Sequence, residues 1–155
     1  MFKELRRKDR EIDIDECIRI LKEGIYGVLS TIGEDGYSYG VPVSYVYKEN
    51  SILFHCATEG KKLENFKYND RVSFCVVGQT EILSKKFSMA YESVIVFGRI
   101  KEVYGEQKED ALYELIKKYS NDYIKEGFEY VKKDMNKTKV FKIDIEHISG
   151  KRRRC

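Results

Sequence analysis

The chain is expected to be mainly β: a six-stranded antiparallel barrel, closed or split, with three or four short helices. Three observations predict it. Runs such as RVSFCVV and VFKIDIEHIS alternate apolar and polar residues with the period of a half-buried strand. Glycine- and Asn/Asp-rich turns punctuate these runs, and helical periodicity is confined to a few short stretches. Closure follows because six strands joined as meanders would otherwise leave open edges.

In order along the chain, Ile14, Cys17, Ile18 and Leu21 fall at helical spacing behind a capping Asp13, with Gly24 just past the end. IYGVLSTI is β-rich, and the turn from Gly33 to Gly36 joins it to YSYGVPVSYVY as a hairpin in which Pro42 implies an edge or a bulge. After the turn KENS, the strand SILFHCA is expected to return antiparallel and complete a three-stranded meander. Leu63 and Phe66 anchor a short helix that Asn69 and Asp70 end, and Val72, Phe74 and Val76 form one face of the next strand. The segment from Ser88 to Tyr104 is too long for a flat strand, and its Gly98 predicts a bend or bulge. Leu112, Leu115, Ile116 and Tyr119 form a helical stripe. The last strand alternates Phe141, Ile143, Ile145 and His147, which places His147 on the apolar face as a hydrogen-bonded core histidine.

At 155 residues the chain is expected to form a single domain over 1–155. Hydrophobic residues make up 42%, with one proline, 12 tyrosines and 8 phenylalanines, which excludes disordered and collagen-like classes. No apolar run approaches the roughly 18 residues of a membrane span, and MFKELRRKDREI has no signal-peptide core, so a cytoplasmic protein without membrane contact is expected. The four cysteines Cys17, Cys56, Cys75 and Cys155 lack CxxC spacing and have two histidines for company, which argues against a metal site. The net charge is +3, and Lys151 to Arg154 alone exceed that excess, so residues 151–155 read as a flexible basic tail on a near-neutral body. No broad basic face for nucleic acid emerges.

FHCATEGKKLEN, residues 54–65, carries the most chemistry. A strand ends in His55 and Cys56, a turn of Ala57, Thr58 and Gly60 follows, and a helix opens with Lys61 and Lys62 where its dipole already attracts anions. That pattern makes a phosphate cradle. Taken alone, it fits a solvated basic helical turn equally well.

Read together, DREI, YGVLST, GEDGYSYGVPVSYVY, FHCATEGKKLENF, YESVIVFGRI and IEHISGK resemble, in that order, the motifs of the flavin-binding split-barrel superfamily that includes pyridoxamine-phosphate oxidases, and within it the Nim-type, nitroimidazole-resistance-like branch. The resemblance implies a split barrel of FMN-binding type, a homodimer with the cofactor at the subunit interface, and a flavin held by matching positions. Val43, Ser44 and Tyr45 match the strand along the ring and ribityl chain. His55 and Cys56 match the next strand's end, Lys61 and Lys62 the phosphate-binding cations, and Ser93 a polar flavin contact. Lysine at the first cation, where the oxidases prefer arginine, offers a point charge instead of a fork. The chain has no Trp, so the oxidases' C-terminal substrate-recognising pair has no counterpart, and true pyridoxamine-phosphate oxidase activity is not expected.

The function this implies is an FMN-dependent oxidoreductase reducing a small acceptor such as a nitroaromatic, with a nicotinamide donor docking transiently because no G-x-G-x-x-G fingerprint occurs. The alternative is a non-enzymatic flavin-binding or sensing protein, with haem or deazaflavin as further ligands used by relatives. His55 is the one candidate for acid–base or electrostatic work, weighed against a cofactor-packing role. Cys56 reads as a small buried hydrophobe lining the cofactor, and Tyr37, Tyr39, Tyr45 and Tyr47 chiefly as packing residues.

Overall fold

The computed structural model describes residues 2–154. One eight-stranded antiparallel sheet runs in the order β3-β2-β6-β7-β8-β5-β4, with β1 added beside β8. The strands are β1 (Glu11–Ile12), β2 (Gly27–Ile32), β3 (Ser38–Val43), β4 (Val46–Lys48), β5 (Ser51–Cys56), β6 (Arg71–Leu83), β7 (Ser88–Val103) and β8 (Lys139–Arg153). Four helices accompany them: α1 (Ile14–Glu23), α2 (Lys61–Tyr68), α3 (Gly105–Tyr119) and α4 (Ile124–Asp134). The expected six strands are thus eight. The two-residue β1 has no periodicity to read, and the continuous run YSYGVPVSYVY breaks into β3 and β4.

That break closes the barrel. β3 and β4 are the two ends of the sheet order, yet only Ser44 and Tyr45 separate them in the chain, so the sheet must curl until its ends nearly meet. The expected meander is corrected accordingly: β5 pairs with β4 and β8, not with the β2–β3 hairpin. Pro42 lies in the edge strand β3, where its missing N–H costs no ladder bond.

Tyr45 pins this seam from inside. It is fully buried, its hydroxyl donates to the Leu21 carbonyl (2.6 Å), and its backbone N–H donates to the Tyr119 hydroxyl (2.8 Å). The Tyr119 hydroxyl lies 2.6 Å from the Ile25 carbonyl and 2.9 Å from that of Tyr45, so its one proton serves both. The Lys118 ammonium sits 4.1 Å from the Tyr45 ring centroid and donates to the Gly24 carbonyl, and burial there pulls its pKa down to about 8.

Two apolar clusters lie on opposite faces of the sheet. The inner one fills the barrel with Leu29, Ile52, Phe54, Phe74, Val76, Val94, Val96 and Ile143, plugged by Cys17, Ile20 and Leu21 of α1 and Leu63 of α2. The outer one packs Ala111, Leu112 and Leu115 of α3 and Val131 of α4 on Val46, Leu53, Val103 and Val140. Residues Asp13 and Gly24 bound α1 as expected, with the Asp13 carboxylate accepting from the Glu16 N–H at 2.9 Å.

Two expectations about the last strand are overturned. At Gly98, where a Cβ would come within 2.3 Å of the Asp144 carbonyl, the β7–β8 register shifts. Gly98 pairs with Ile145 but Phe97 with His147, so Glu146 is inserted and the alternation reverses: Ile148 packs on the core, and His147 turns outward, stacked at 4.7 Å on Phe2. His147 is therefore no core histidine. Nor is 151–155 a flexible tail as far as the structure describes it, since Lys151, Arg152 and Arg153 pair with Ser93, Glu92 and Tyr91. Residue Cys155 lies outside the described residues. The anchor is Glu92, 7% exposed, which accepts from Arg19 of α1 (2.8 Å) and Arg152 (3.0 Å). Burial alone would raise its carboxyl pKa, but the two guanidiniums bring it below the usual range. Among the described residues no helix is long and apolar enough to cross a membrane.

If Tyr119 holds the seam, Tyr119→Phe should cost about 1–3 kcal/mol, because the buried Tyr45 N–H loses its acceptor. Urea unfolding checks this: the midpoint should fall while the denaturant slope stays unchanged.

Candidate functional site at the split in the barrel

β4 covers β5 only from Ser51 to Leu53, so Phe54 to Cys56 have β8 on one side and no strand on the other. Across the gap runs the free edge of β3. This split has Val43, Ser44 and Tyr45 at one lip and His55 and Cys56 at the other, with α2 beginning five residues further on. The helix opens on Gly60 at φ 130°, a conformation suited to glycine, and no side chain caps it. Leu63 and Glu64 N–H groups reach back to the Gly60 carbonyl, whereas the amides of Lys61 and Lys62 precede any intrahelical acceptor. An uncapped helix start flanked by two lysines is an anion site by geometry and by charge.

The side chains divide between faces. Val43 packs on the inner core and Tyr45 is buried at the seam, so of the three residues at that lip Ser44 is the exposed one. His55 and Cys56 point oppositely, as neighbours in a strand must: Cys56 joins the inner cluster, and His55 faces outward beside α3 and α4, partly covered but still exposed. Burial pushes the Cys56 thiol pKa up, against a smaller downward pull from Lys62, so the thiol stays protonated and is no nucleophile. Burial alone holds the His55 imidazole below its ordinary pKa, and the ring makes no hydrogen bond among the described residues. Lys61 is bonded to Asp35 of the β2–β3 turn at 2.6 Å, which lowers the Asp35 carboxyl and raises the lysine. Lys62 makes no ion pair among the described residues.

Ser93 is not brought to the split. It pairs with Lys151, whereas His55 pairs with Val140; those two β8 residues lie eleven positions apart, roughly 35 Å along a strand. Sequence reasoning also missed three partners. Asp35 looked like an ordinary turn residue, and only the approach of α2 makes it a lysine partner. Asn65 is buried and donates to the Thr31 hydroxyl at 2.8 Å, which locks α2 to β2. Thr138 donates to the Cys56 carbonyl at 2.8 Å and steadies the lip of the split.

Comparison with known proteins gives this arrangement a family. A family model described as pyridoxamine 5′-phosphate oxidase matches residues 13–152. The chain belongs to that family. Among solved structures, the fold is similar to that of a proposed 5-nitroimidazole antibiotic resistance protein from Bacteroides thetaiotaomicron, with TM-score 0.78, 22% identity, and 91% of this chain and 85% of that one covered. It is also similar to a FAD-binding protein from Mesorhizobium loti (TM-score 0.68, 24% identity, 94% and 98% covered) and to a FAD- and haem-binding protein from Mycobacterium smegmatis (TM-score 0.82, 15% identity, 94% and 74% covered). No curated protein matches. The fold is thus shared with FAD-binding proteins, and the Nim-like branch is represented among the similar structures by the nitroimidazole-resistance protein. The residues at the split fit a flavin phosphate: the uncapped amides at Gly60 and the unpaired Lys62 supply donors and charge.

The desolvation of His55 has a measurable sign. Its folded pKa lies below the unfolded value, so the unfolded chain binds the extra proton first, and stability is lost as pH falls from 6.5 through the folded pKa. NMR titration of the ring should give a midpoint below 6.5, and His55→Leu should flatten the acid limb of a thermal-stability profile.

Proposed function

We propose that the protein is an FMN-dependent oxidoreductase acting on a small acceptor such as a nitroaromatic, with electrons delivered by a transiently docked nicotinamide. The observation that carries this reading is the uncapped start of α2 beside the split, with Lys62 unpaired. Bound there, FMN would supply the redox chemistry, and the protein's part is to hold, orient and shield. The amides of Lys61 and Lys62 and the Lys62 ammonium would grip the phosphate. Lys61 would share its charge between Asp35 and the phosphate. Ser44 and the unpaired edge of β3 would offer hydrogen bonds along the cofactor, with Val43, Tyr45 and Cys56 stiffening the lips from inside. His55, held neutral, keeps one donor and one acceptor nitrogen available without adding charge.

We place the site at the interface of a homodimer in the cytoplasm. Two features support the dimer. The outer face of β6 and β7 exposes Val77, Ile95 and Phe97 (57%, 41% and 38%), an apolar patch unusual for a free surface. Ser93 lies on that same face, so a second copy could deliver it to a split that its own chain cannot reach. A second reading, a non-enzymatic flavin-binding or sensing protein, is favoured by one observation: Cys56 is protonated and His55 has no hydrogen-bonded partner, so the split holds no preassembled acid–base pair.

Apo-protein titrated with FMN should bind it well ahead of riboflavin, and Lys62→Ala should weaken FMN roughly ten- to a hundredfold, the loss of one charge-assisted contact. Asp35→Asn, which releases Lys61, should tighten it. Equal affinity for FMN and riboflavin would sink the assignment. Turnover of a nitroaromatic with a reduced nicotinamide separates enzyme from sensor.

In sedimentation, the protein should run as a dimer at micromolar concentration, and Ile95→Lys should dissociate it and release FMN together. A monomer that retains stoichiometric FMN contradicts the shared site.

A further inference from the structure

The β6–β7 ribbon outruns the rest of the sheet. β8 accompanies β7 only as far as Tyr91, which pairs with Arg153, and β2 leaves β6 at Cys75, so the last pairs, from Glu81 with Ala90 to Leu83 with Ser88, have no third strand beside them. A two-stranded ribbon is marginal in water unless something packs on it. Its side chains sharpen that need: Ile82 and Met89 form a cross-strand pair exposed to 74% and 45%, and Phe87 in the turn is 98% exposed. Phe87 also sits at φ 47°, ψ 47°, a left-handed conformation that a bulky residue seldom adopts, and its ring is left in solvent. Positive charge gathers at the same end. Lys85 and Lys86 precede Phe87 in the turn and, like Arg154, make no ion pair among the described residues, while Arg153 donates to the neutral Ser88 hydroxyl. Between Thr80 and Tyr91 the one acidic residue is Glu81.

We propose that this hairpin tip docks on an anionic lipid surface, with Phe87, Ile82 and Met89 entering the headgroup region and Lys85, Lys86 and Arg154 facing the lipid phosphates. A negative leaflet answers both features at once: it takes up apolar side chains, and each cation held close to it adds attraction. A second copy of the chain answers them less well. On the face that carries Ile82 and Met89, the paired residues Thr80, Tyr91 and Arg153 form a polar band that separates this tip from the patch of Val77, Ile95 and Phe97, so the tip does not continue the dimer interface proposed above. Nucleic acid fits less well again, because one ring among aliphatic side chains gives successive bases no stacking platform. A tip that lies on a bilayer needs no spanning segment, so the contact is compatible with the absence of any apolar run long enough to cross. The docking is independent of flavin binding.

The chain contains no tryptophan, so Phe87→Trp places a single indole at the tip. With vesicles of phosphatidylcholine mixed with phosphatidylglycerol its emission should shift to the blue and be quenched by brominated acyl chains, whereas pure phosphatidylcholine should leave it unchanged. In vesicle sedimentation of the unsubstituted chain, with and without FMN, binding to the anionic vesicles should weaken as salt rises. Lys85→Gln and Lys86→Gln should each weaken it about fivefold, and Phe87→Ser about tenfold. All three variants should keep the far-ultraviolet spectrum and the oligomeric state of the parent. The proposal is overturned by the absence of a blue shift with anionic vesicles, by equal binding to neutral and anionic vesicles, or by unchanged vesicle binding in the three variants. A change of oligomeric state in Phe87→Ser would overturn it in favour of a second copy, and tighter binding of single-stranded oligothymidylate than of anionic vesicles would overturn it in favour of nucleic acid. Vesicle binding by protein that fails to take up FMN supports the proposal and counts against the flavin reading alone.

Discussion

Two residues, Ser44 and Tyr45, carry the chain from one end of an eight-stranded sheet to the other, and most of the molecule follows from that constraint. The bridge is too short for the end strands to lie far apart, so the sheet curls. Curling makes an inside and an outside, and the inside must be filled; α1 and α2 contribute the plugs. Tyr45 converts the bridge from a loop into a fixed post because every polar group it buries is satisfied, by Leu21 through its hydroxyl and by Tyr119 through its backbone. Without those partners each buried group would carry its full desolvation cost.

The same closure creates the site. A barrel whose ends were fully laddered would offer no gap. Here β4 is three residues long and stops at the level of Leu53, leaving the last turn of β5 uncovered just where the chain swings into α2. A helix N-terminus and two lysines are thereby set at the mouth of a slot lined by backbone edges. Asp35 and Asn65, from opposite ends of the hairpin–helix contact, hold α2 in place by an ion pair and a buried hydrogen bond. The site is built from short irregularities in a regular scaffold, as is common where binding groups sit on loops positioned by rigid elements.

The outer surfaces of the sheet are used unequally. One is covered by α3 and α4, which form a second core over β4, β5 and the ends of β7 and β8. Another, around Val77, Ile95 and Phe97, has no helix over it. The division follows from length: β6, β7 and β8 run 13, 16 and 15 residues and project beyond what the helices span. At that far end the basic terminus is drawn into the sheet by Glu92, a buried carboxylate flanked by two arginines, of which Arg152 would leave it if the strand frayed.

Alternation and capping made much of this legible in the residues themselves. Val72, Phe74 and Val76 as one face, Asp13 and Gly24 as the ends of α1, an irregularity of the ladder at Gly98 and Lys61–Lys62 as a helix start all depend on near neighbours, and the structure bears them out. What tertiary structure alone decided was anything requiring a partner distant in the chain. A one-residue bulge turned His147 outward, because the register of a strand belongs to the pair and not to either strand. Glu92 ordered a terminus that composition reads as a tail. The pairing of the strands left Ser93 some eleven ladder positions from His55. Side-chain period is local physics and is written in the sequence; which edges meet and which charges find each other is settled only when the sheet closes.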